Sequence, residues 1–307
     1  MEWLRRRHRF WTEMFRLAAV AICTFCTFPL NAQTQSEDAT YLKVNNIDIL
    51  VVAPAQITPT TPLIFLYHGF GKPASPEQLR EVLPPIEGAV CVYPSIPESP
   101  ARLPEGGVDE LVRRQKDNYV SELLSPILDR VVPEYDEAVD VLTEQFELSD
   151  QRPIALMGFS VGGLICEQIQ LHATHHPSRI VLVNSPLTIE EAIKNWEHHA
   201  GKMFSWNEKA RSMSEDILMF AEVTCASESA AGVDVLILRS DSDAVFTVDS
   251  AKQILSESNA DSESEVNKHV MIIELTDSGH NPFSTPQDDD SKNNVVNTIQ
   301  EFLKGSN

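Results

Sequence analysis

The residues best equipped for chemistry in this chain are Gly158-Phe159-Ser160-Val161-Gly162, where the apolar run Ile154-Ala155-Leu156-Met157 stops and a helical pattern starts. A serine with glycine two positions away on each side suits a tight strand-to-helix turn, with the hydroxyl projecting above a sheet and no side chains to collide with the neighbouring backbone. A serine hydroxyl is a weak nucleophile at neutral pH. It needs a base within hydrogen-bond reach, an acid to orient that base, and amide donors for the oxyanion that forms on attack. The apolar run Pro62 to Tyr67 reads as a strand and leads into His68-Gly69-Phe70-Gly71, a flexible corner whose amides can face an oxyanion. The amide of Val161 opens the helix after the serine, where the helix dipole favours negative charge. Downstream, Val235 to Leu238 leads into Arg239-Ser240-Asp241-Ser242-Asp243, and Val270 to Ile273 leads to Asp277-Ser278-Gly279-His280. The order is therefore serine, aspartate, histidine, with Asp241 and Asp243 both available as the acid.

Taken together, the elbow, the His68-Gly69-Phe70-Gly71 corner, the acid after a late strand and the terminal Ser278-Gly279-His280-Asn281-Pro282-Phe283 segment resemble the α/β-hydrolase family over nearly everything after residue 40. The resemblance implies a mostly parallel central sheet with helices on both faces. It also implies Ser160 as nucleophile, His280 as general base, Asp243 as orienting acid, and the backbone amides of Phe70 and Val161 as oxyanion donors. The late strand departs from the family in ending on Ser240 where many members have glycine. The expected reaction is hydrolysis of a carboxylic ester through an acyl-enzyme, on a small-molecule or lipid-like substrate and with no metal or organic cofactor. A thioesterase or acyltransferase shares every catalytic part, a peptidase is the next alternative, and a non-catalytic binding module is the reading from another class. Epoxide hydrolases and dehalogenases of the family place a carboxylate where this chain has Ser160.

Other reactive side chains are read more plainly. His68 is expected to order the oxyanion corner by hydrogen bonds. His172 and His176 share a helix face with His175 beside them, a spacing that suits zinc, yet no nearby carboxylate or cysteine completes a site. His198 and His199 read as solvated surface. Cys91, Cys166 and Cys225 form no disulfide framework, and the first two read as buried thiols.

These groups need elements to hold them. The chain opens with Arg5-Arg6-Arg7-His8-Arg9 and Arg16 before an apolar stretch from Leu17 to Leu30, followed by Asn31-Ala32-Gln33. Basic, apolar, then polar is the pattern of a secretory signal covering residues 1–32, and the apolar run of about fourteen residues is short for a bilayer span. Translation from Met14 would leave a more compact signal. The expected location is secreted or periplasmic, with no stable membrane span after cleavage. The chain carries 24 Lys+Arg against 45 Asp+Glu, a formal net charge of −21. Such a surface repels phosphate backbones and anionic lipid, which argues against a nucleic-acid partner.

Residues 33–307 are expected to form one α/β domain. Tyr41 to Val44 and Ile47 to Val52 flank Asn45-Asn46 as a hairpin, and Ser75-Pro76-Glu77-Gln78 opens a helix. Ala89 to Tyr93 and Arg179 to Val183 are strands. Helices are expected over Asp109 to Leu128, kinked before Pro126, over Glu134 to Phe146, and over Asn293 to Leu303. Strands alternating with helices predict a parallel sheet covered on both faces. The stretch at about 186–232 exceeds one crossover helix and predicts a cap, with residues from Trp196 to Trp206 expected to line an acyl or alcohol pocket.

Overall fold

The computed structural model describes residues 39–45, 47–215, 233–257, 269–276, 279–283 and 289–305. The expected leader, most of the second half of the expected cap and Cys225 lie outside them.

Eight strands form one sheet in the order β1-β2-β4-β3-β5-β6-β7-β8. β1 (Ala39–Val44) and β2 (Ile47–Val52) pair antiparallel with Val44 opposite Ile47, and Asn45 takes a φ of 43° in the turn. β2 pairs antiparallel with β4 (Val90–Pro94). From β4 onward every pairing is parallel, through β3 (Leu63–Tyr67), β5 (Ile154–Phe159), β6 (Arg179–Val183), β7 (Asp234–Ser240) and β8 (Val270–Leu275). β3 and β5 are buried along their whole length, which is why they read as unbroken apolar runs rather than as alternation. Their side chains feed two apolar cores, one on each face.

Helix α1 (Pro76–Val82) follows the expected cap: Ser75 Oγ accepts from the Gln78 amide at 3.3 Å, and Gln78 Oε1 accepts from the Ala74 amide at 3.0 Å. The next helices differ from the sequence expectation. Helix α2 (Gly107–Asp117) ends at Asn118, a π-helical turn covers Tyr119–Leu124, and α3 (Ser125–Gln145) then runs through Pro133 without a break. Pro126 lies in the first turn of α3, where a missing N–H is no loss, so the break comes eight residues earlier, at Asn118. α2 buries no residue of its own. It is tied down by Arg114 to Glu98 at 3.1 Å, by Trp196 Nε1 donating to the Gln115 carbonyl at 2.6 Å, and by Lys202 Nζ donating to the Lys116 carbonyl at 2.8 Å.

Helix α4 (Val161–His172) follows β5 and α5 (Ile189–Ala200) follows β6. α6 (Val248–Glu257) and α7 (Asp289–Lys304) complete the layers, the latter somewhat longer than the expected 293–303. Residues 208–215 are also helical, so the described part of the expected cap holds two helical segments joined by residues 201–207. No helix among the described residues is long and apolar enough to cross a membrane.

Candidate active site

Ser160 stands between β5 and α4 with φ 55° and ψ −123°, a positive-φ conformation that L-residues adopt only under constraint. The constraints are visible. Its amide donates to the Val183 carbonyl of β6 at 3.0 Å, and its carbonyl accepts from the Gly163 amide at 3.0 Å and from Ser185 Oγ. A Cβ on Gly162 would lie 2.6 Å from the Tyr67 carbonyl and 2.8 Å from that of His68, so α4 can approach β3 this closely only with glycine there.

Asp243 and His280 arrive from beyond the ends of β7 and β8. His280 Nδ1 lies 2.7 Å from Asp243 Oδ2, and His280 Nε2 lies 3.3 Å from Ser160 Oγ. The first distance is that of a strong charge-assisted bond, and the second is at the long end of the range, as such bonds often are before a substrate is bound. The ring is held between Phe159 and Phe246, each with its centroid 5.6 Å away. Asp243 is 7% exposed, and its second oxygen, Oδ1, accepts the Val245 and Phe246 amides at 2.9 and 3.0 Å. Burial alone would raise its carboxyl, but the bonds from His280, Phe246 and Val245 outweigh it and hold the carboxyl below its ordinary value. Asp241 is exposed and accepts from the neighbouring Ser242 hydroxyl at 2.8 Å. The structure thus brings Asp243, and not Asp241, to His280.

The corner after β3 closes the site from the other side. A Cβ on Gly69 would fall 3.1 Å from that of Ser160, so the His68-Gly69-Phe70 backbone runs directly beside the serine. His68 is fully buried; the Ile96 amide donates to its Nε2 at 3.3 Å, so Nδ1 carries the proton and donates to the Gly69 carbonyl at 2.8 Å. Burial lowers its pKa to about 4, against a smaller opposing effect of the Gly69 bond, and the ring is neutral at physiological pH. Phe70 packs its side chain on the core, and Val161 occupies the first position of α4, with its amide at the N-terminus of the helix.

The remaining sequence readings divide. Ser240, in place of glycine, is fully buried; its amide donates to Asn184 Oδ1 at 2.7 Å and its hydroxyl accepts from the Ser242 amide at 3.3 Å. His175 Nε2 pairs with Asp140 at 2.8 Å, and no group of three or more metal-type ligands occurs among the described residues. Cys91 and Cys166 are buried thiols outside any disulfide. Trp196 stacks on Tyr119 at 6.2 Å and packs edge-on against Phe204, which packs in turn on Trp206, and all three rings pack on the apolar core. His199 is exposed as expected, and partial burial, with His198 and His280 acting in the same direction and Asp243 opposing, lowers its pKa.

Two residues at the site carry no sequence motif. Asn184, at the end of β6, donates from Nδ2 to the carbonyls of Gly279 and His280 at 3.1 and 2.9 Å, and Ser185 supports the elbow as described. The only signal in the sequence is a polar pair, Asn184-Ser185, directly after an apolar strand. Behind the elbow, Arg239 of β7 and Glu191 of α5 pair at 3.1 Å, both buried, with Phe246 over the guanidinium. Glu167 of α4 faces the same pair; burial and Glu191 push its carboxyl well above the usual range, against the pull of Arg239.

Neither a family model nor a curated protein matches the sequence. Solved structures do match. A putative dienelactone hydrolase from Klebsiella pneumoniae shares 13% identity and a TM-score of 0.59, over 87% of this chain and 98% of that one. Carboxyl esterase 2 from the fungus Tuber melanosporum shares 14% identity and a TM-score of 0.57, over 91% of this chain and 89% of that one. An acylaminoacyl peptidase from Pyrococcus horikoshii shares 14% identity and a TM-score of 0.57 over 89% of this chain, which spans 42% of that longer one. Identities this low speak to architecture alone, and they agree with the strand order and with the serine turn after β5: this chain has the α/β-hydrolase fold.

Proposed function

We propose that this protein is a serine hydrolase that cleaves carboxylic esters through an acyl-enzyme. The observation that carries the proposal is the hydrogen-bonded line from Ser160 Oγ through His280 to Asp243, built on a strained serine. Ser160 attacks the ester carbonyl as His280 Nε2 takes its proton. The oxyanion is received by the amides of Phe70 and Val161, and the carbon–oxygen bond to the alcohol breaks as His280 returns the proton to the leaving oxygen. Water, deprotonated by the same nitrogen, then cleaves the acyl-serine and regenerates the hydroxyl. Asp243, kept ionised by its three donors, holds Nδ1 protonated and stabilises the imidazolium in each half-reaction.

The comparisons support an ester over an amide substrate. Both a dienelactone hydrolase and a carboxyl esterase are matched over nearly their whole length, whereas the acylaminoacyl peptidase is matched over less than half. Trp196, Phe204 and Trp206 form an apolar cluster in the expected cap, and we infer that it bounds an acyl or alcohol pocket. The basic-then-apolar N-terminal segment supports export to the periplasm or medium.

The test is labelling of the native protein with a fluorophosphonate, followed by a panel of p-nitrophenyl esters, acyl thioesters and aminoacyl amides. We expect labelling at Ser160, turnover of esters ahead of amides, and loss of kcat by several orders of magnitude in Ser160→Ala. A native protein that neither labels nor turns over any of the three classes would favour a binding module.

A further inference from the structure

We propose that Asn184 is a positioning residue that sets the acid and the base against each other, an inference that rests on the Ser160–His280–Asp243 reading. The two loops that carry Asp243 and His280 leave adjacent strands, and the ladder that aligns them ends at Ser240 opposite Leu275, with one further bond from the Asp241 amide to the Leu275 carbonyl. Beyond that point another group has to fix the distance between the loops. Asn184 reaches both from the neighbouring strand. Its Oδ1 accepts the Ser240 amide at 2.7 Å, on the acid loop, while its Nδ2 donates to the Gly279 and His280 carbonyls at 3.1 and 2.9 Å, on the histidine loop. Its own amide donates to the Leu238 carbonyl at 2.9 Å. The Asp243 amide in turn bonds the Ser240 carbonyl at 3.4 Å, so the acid is one link from the clamp and the base is on it.

The residue type follows from this task. A planar amide presents an acceptor on one side and two donors on the other; an aspartate would put a second oxygen against two carbonyls, and a glutamine would be a methylene too long. Asn184 is fully buried and takes a φ of 41°, a region where asparagine is several-fold enriched among non-glycine residues. Glycine tolerates the same backbone, so Asn184→Gly removes the clamp without adding backbone strain.

The alternative is a buried amide that merely satisfies loop backbone, and three measurements separate the two roles. In Asn184→Gly and in Asn184→Asp, which keeps the volume and the bond to Ser240, kcat for a p-nitrophenyl ester is expected to fall roughly a hundredfold, the scale of an ångström-sized misplacement, with KM changed less than about twofold. The downfield proton NMR signal of the Nδ1 hydrogen between His280 and Asp243 is expected to vanish in both, under conditions where circular dichroism shows folded protein. In an Asp243→Asn background, Asn184→Gly is expected to cost less than about threefold, because the two act through one contact. An undiminished hundredfold loss in that background, or a signal that survives both substitutions, overturns the positioning role. The signal is read without substrate, so a wild-type protein that fails to label sinks the hydrolase reading and leaves Asn184 to be judged on the resonance alone.

Discussion

Asp241 and Asp243 differ by two positions and by everything that an orienting acid requires. Asp243 is buried against His280 and receives two amides, while Asp241 is turned to solvent beside Ser242. Asp243→Asn should lower kcat on the order of ten-thousand-fold near neutral pH, because an amide there favours the wrong imidazole tautomer. Asp241→Asn should change it by less than about tenfold; the reverse ranking in two folded variants would move the acid. Ser160 and His280 were legible in the sequence because each follows a strand in a short motif, whereas the segment after β7 offered Asp241 as well and Asp243 came from the family resemblance. Asn184 was not legible, since its partners are backbone atoms of loops distant in the chain, and no spacing rule connects them. His68 makes a different demand, on stability. The unfolded chain protonates this histidine near pH 6.5 and the folded chain only near 4, so between those values the unfolded state binds the additional proton. Stability should therefore fall as pH drops through that window, by roughly 3 kcal/mol at its foot, and be indifferent to His68 above it. Melting curves from pH 4 to 7.5 should show a shallower acid fall in His68→Gln than in the wild type, and equal slopes would assign the effect to another group.

At the scale of elements, the strands of the parallel sheet were readable because burial on both faces demands continuous apolar runs. Arg179–Val183 is the clearest case. The helices between β4 and β5 were less so. Pro126 and Pro133 look like breaks in sequence, yet one falls in the first turn of α3 and the other is absorbed inside it, while the true break at Asn118 has no proline at all. The packing of Trp196 and Phe204, along with the C-terminal carbonyls of α2 taken by Trp196 and Lys202, decides that boundary, and such long-range partners leave no local trace. The elbow is the opposite case, where local sequence and tertiary packing state one requirement. Gly162→Ala forces a methyl onto the carbonyls of Tyr67 and His68, backbone atoms that cannot turn aside, and should destabilise by about 3 kcal/mol or more. Gly71→Ala meets nothing within 4 Å and should cost less than about 1 kcal/mol. Urea titrations of the two proteins check the contrast, and comparable losses would mean that the α4–β3 approach is not what the glycine protects.

For the whole molecule, the site is assembled from the ends of five strands, β3, β5, β6, β7 and β8, that are well separated in sequence and become neighbours only in the finished sheet. Architecture was legible to that extent, because alternating strands and helices permit few layerings. The acidic balance of 24 Lys+Arg against 45 Asp+Glu was plain from composition. The strands are not equally secure, however. β5, which precedes Ser160, is buried throughout and flanked on both sides, whereas β8, which precedes His280, is the last strand of the described sheet, pairs with β7 alone, and is mostly half-buried or exposed. Fraying from that margin removes His280 while the interior sheet still stands. Inactivation and unfolding should accordingly part company: in a urea series, ester hydrolysis should disappear at a lower midpoint than the far-ultraviolet circular dichroism signal, and coincident midpoints would show that the margin opens only with the whole. A protein built this way fails first as a catalyst and only later as a fold.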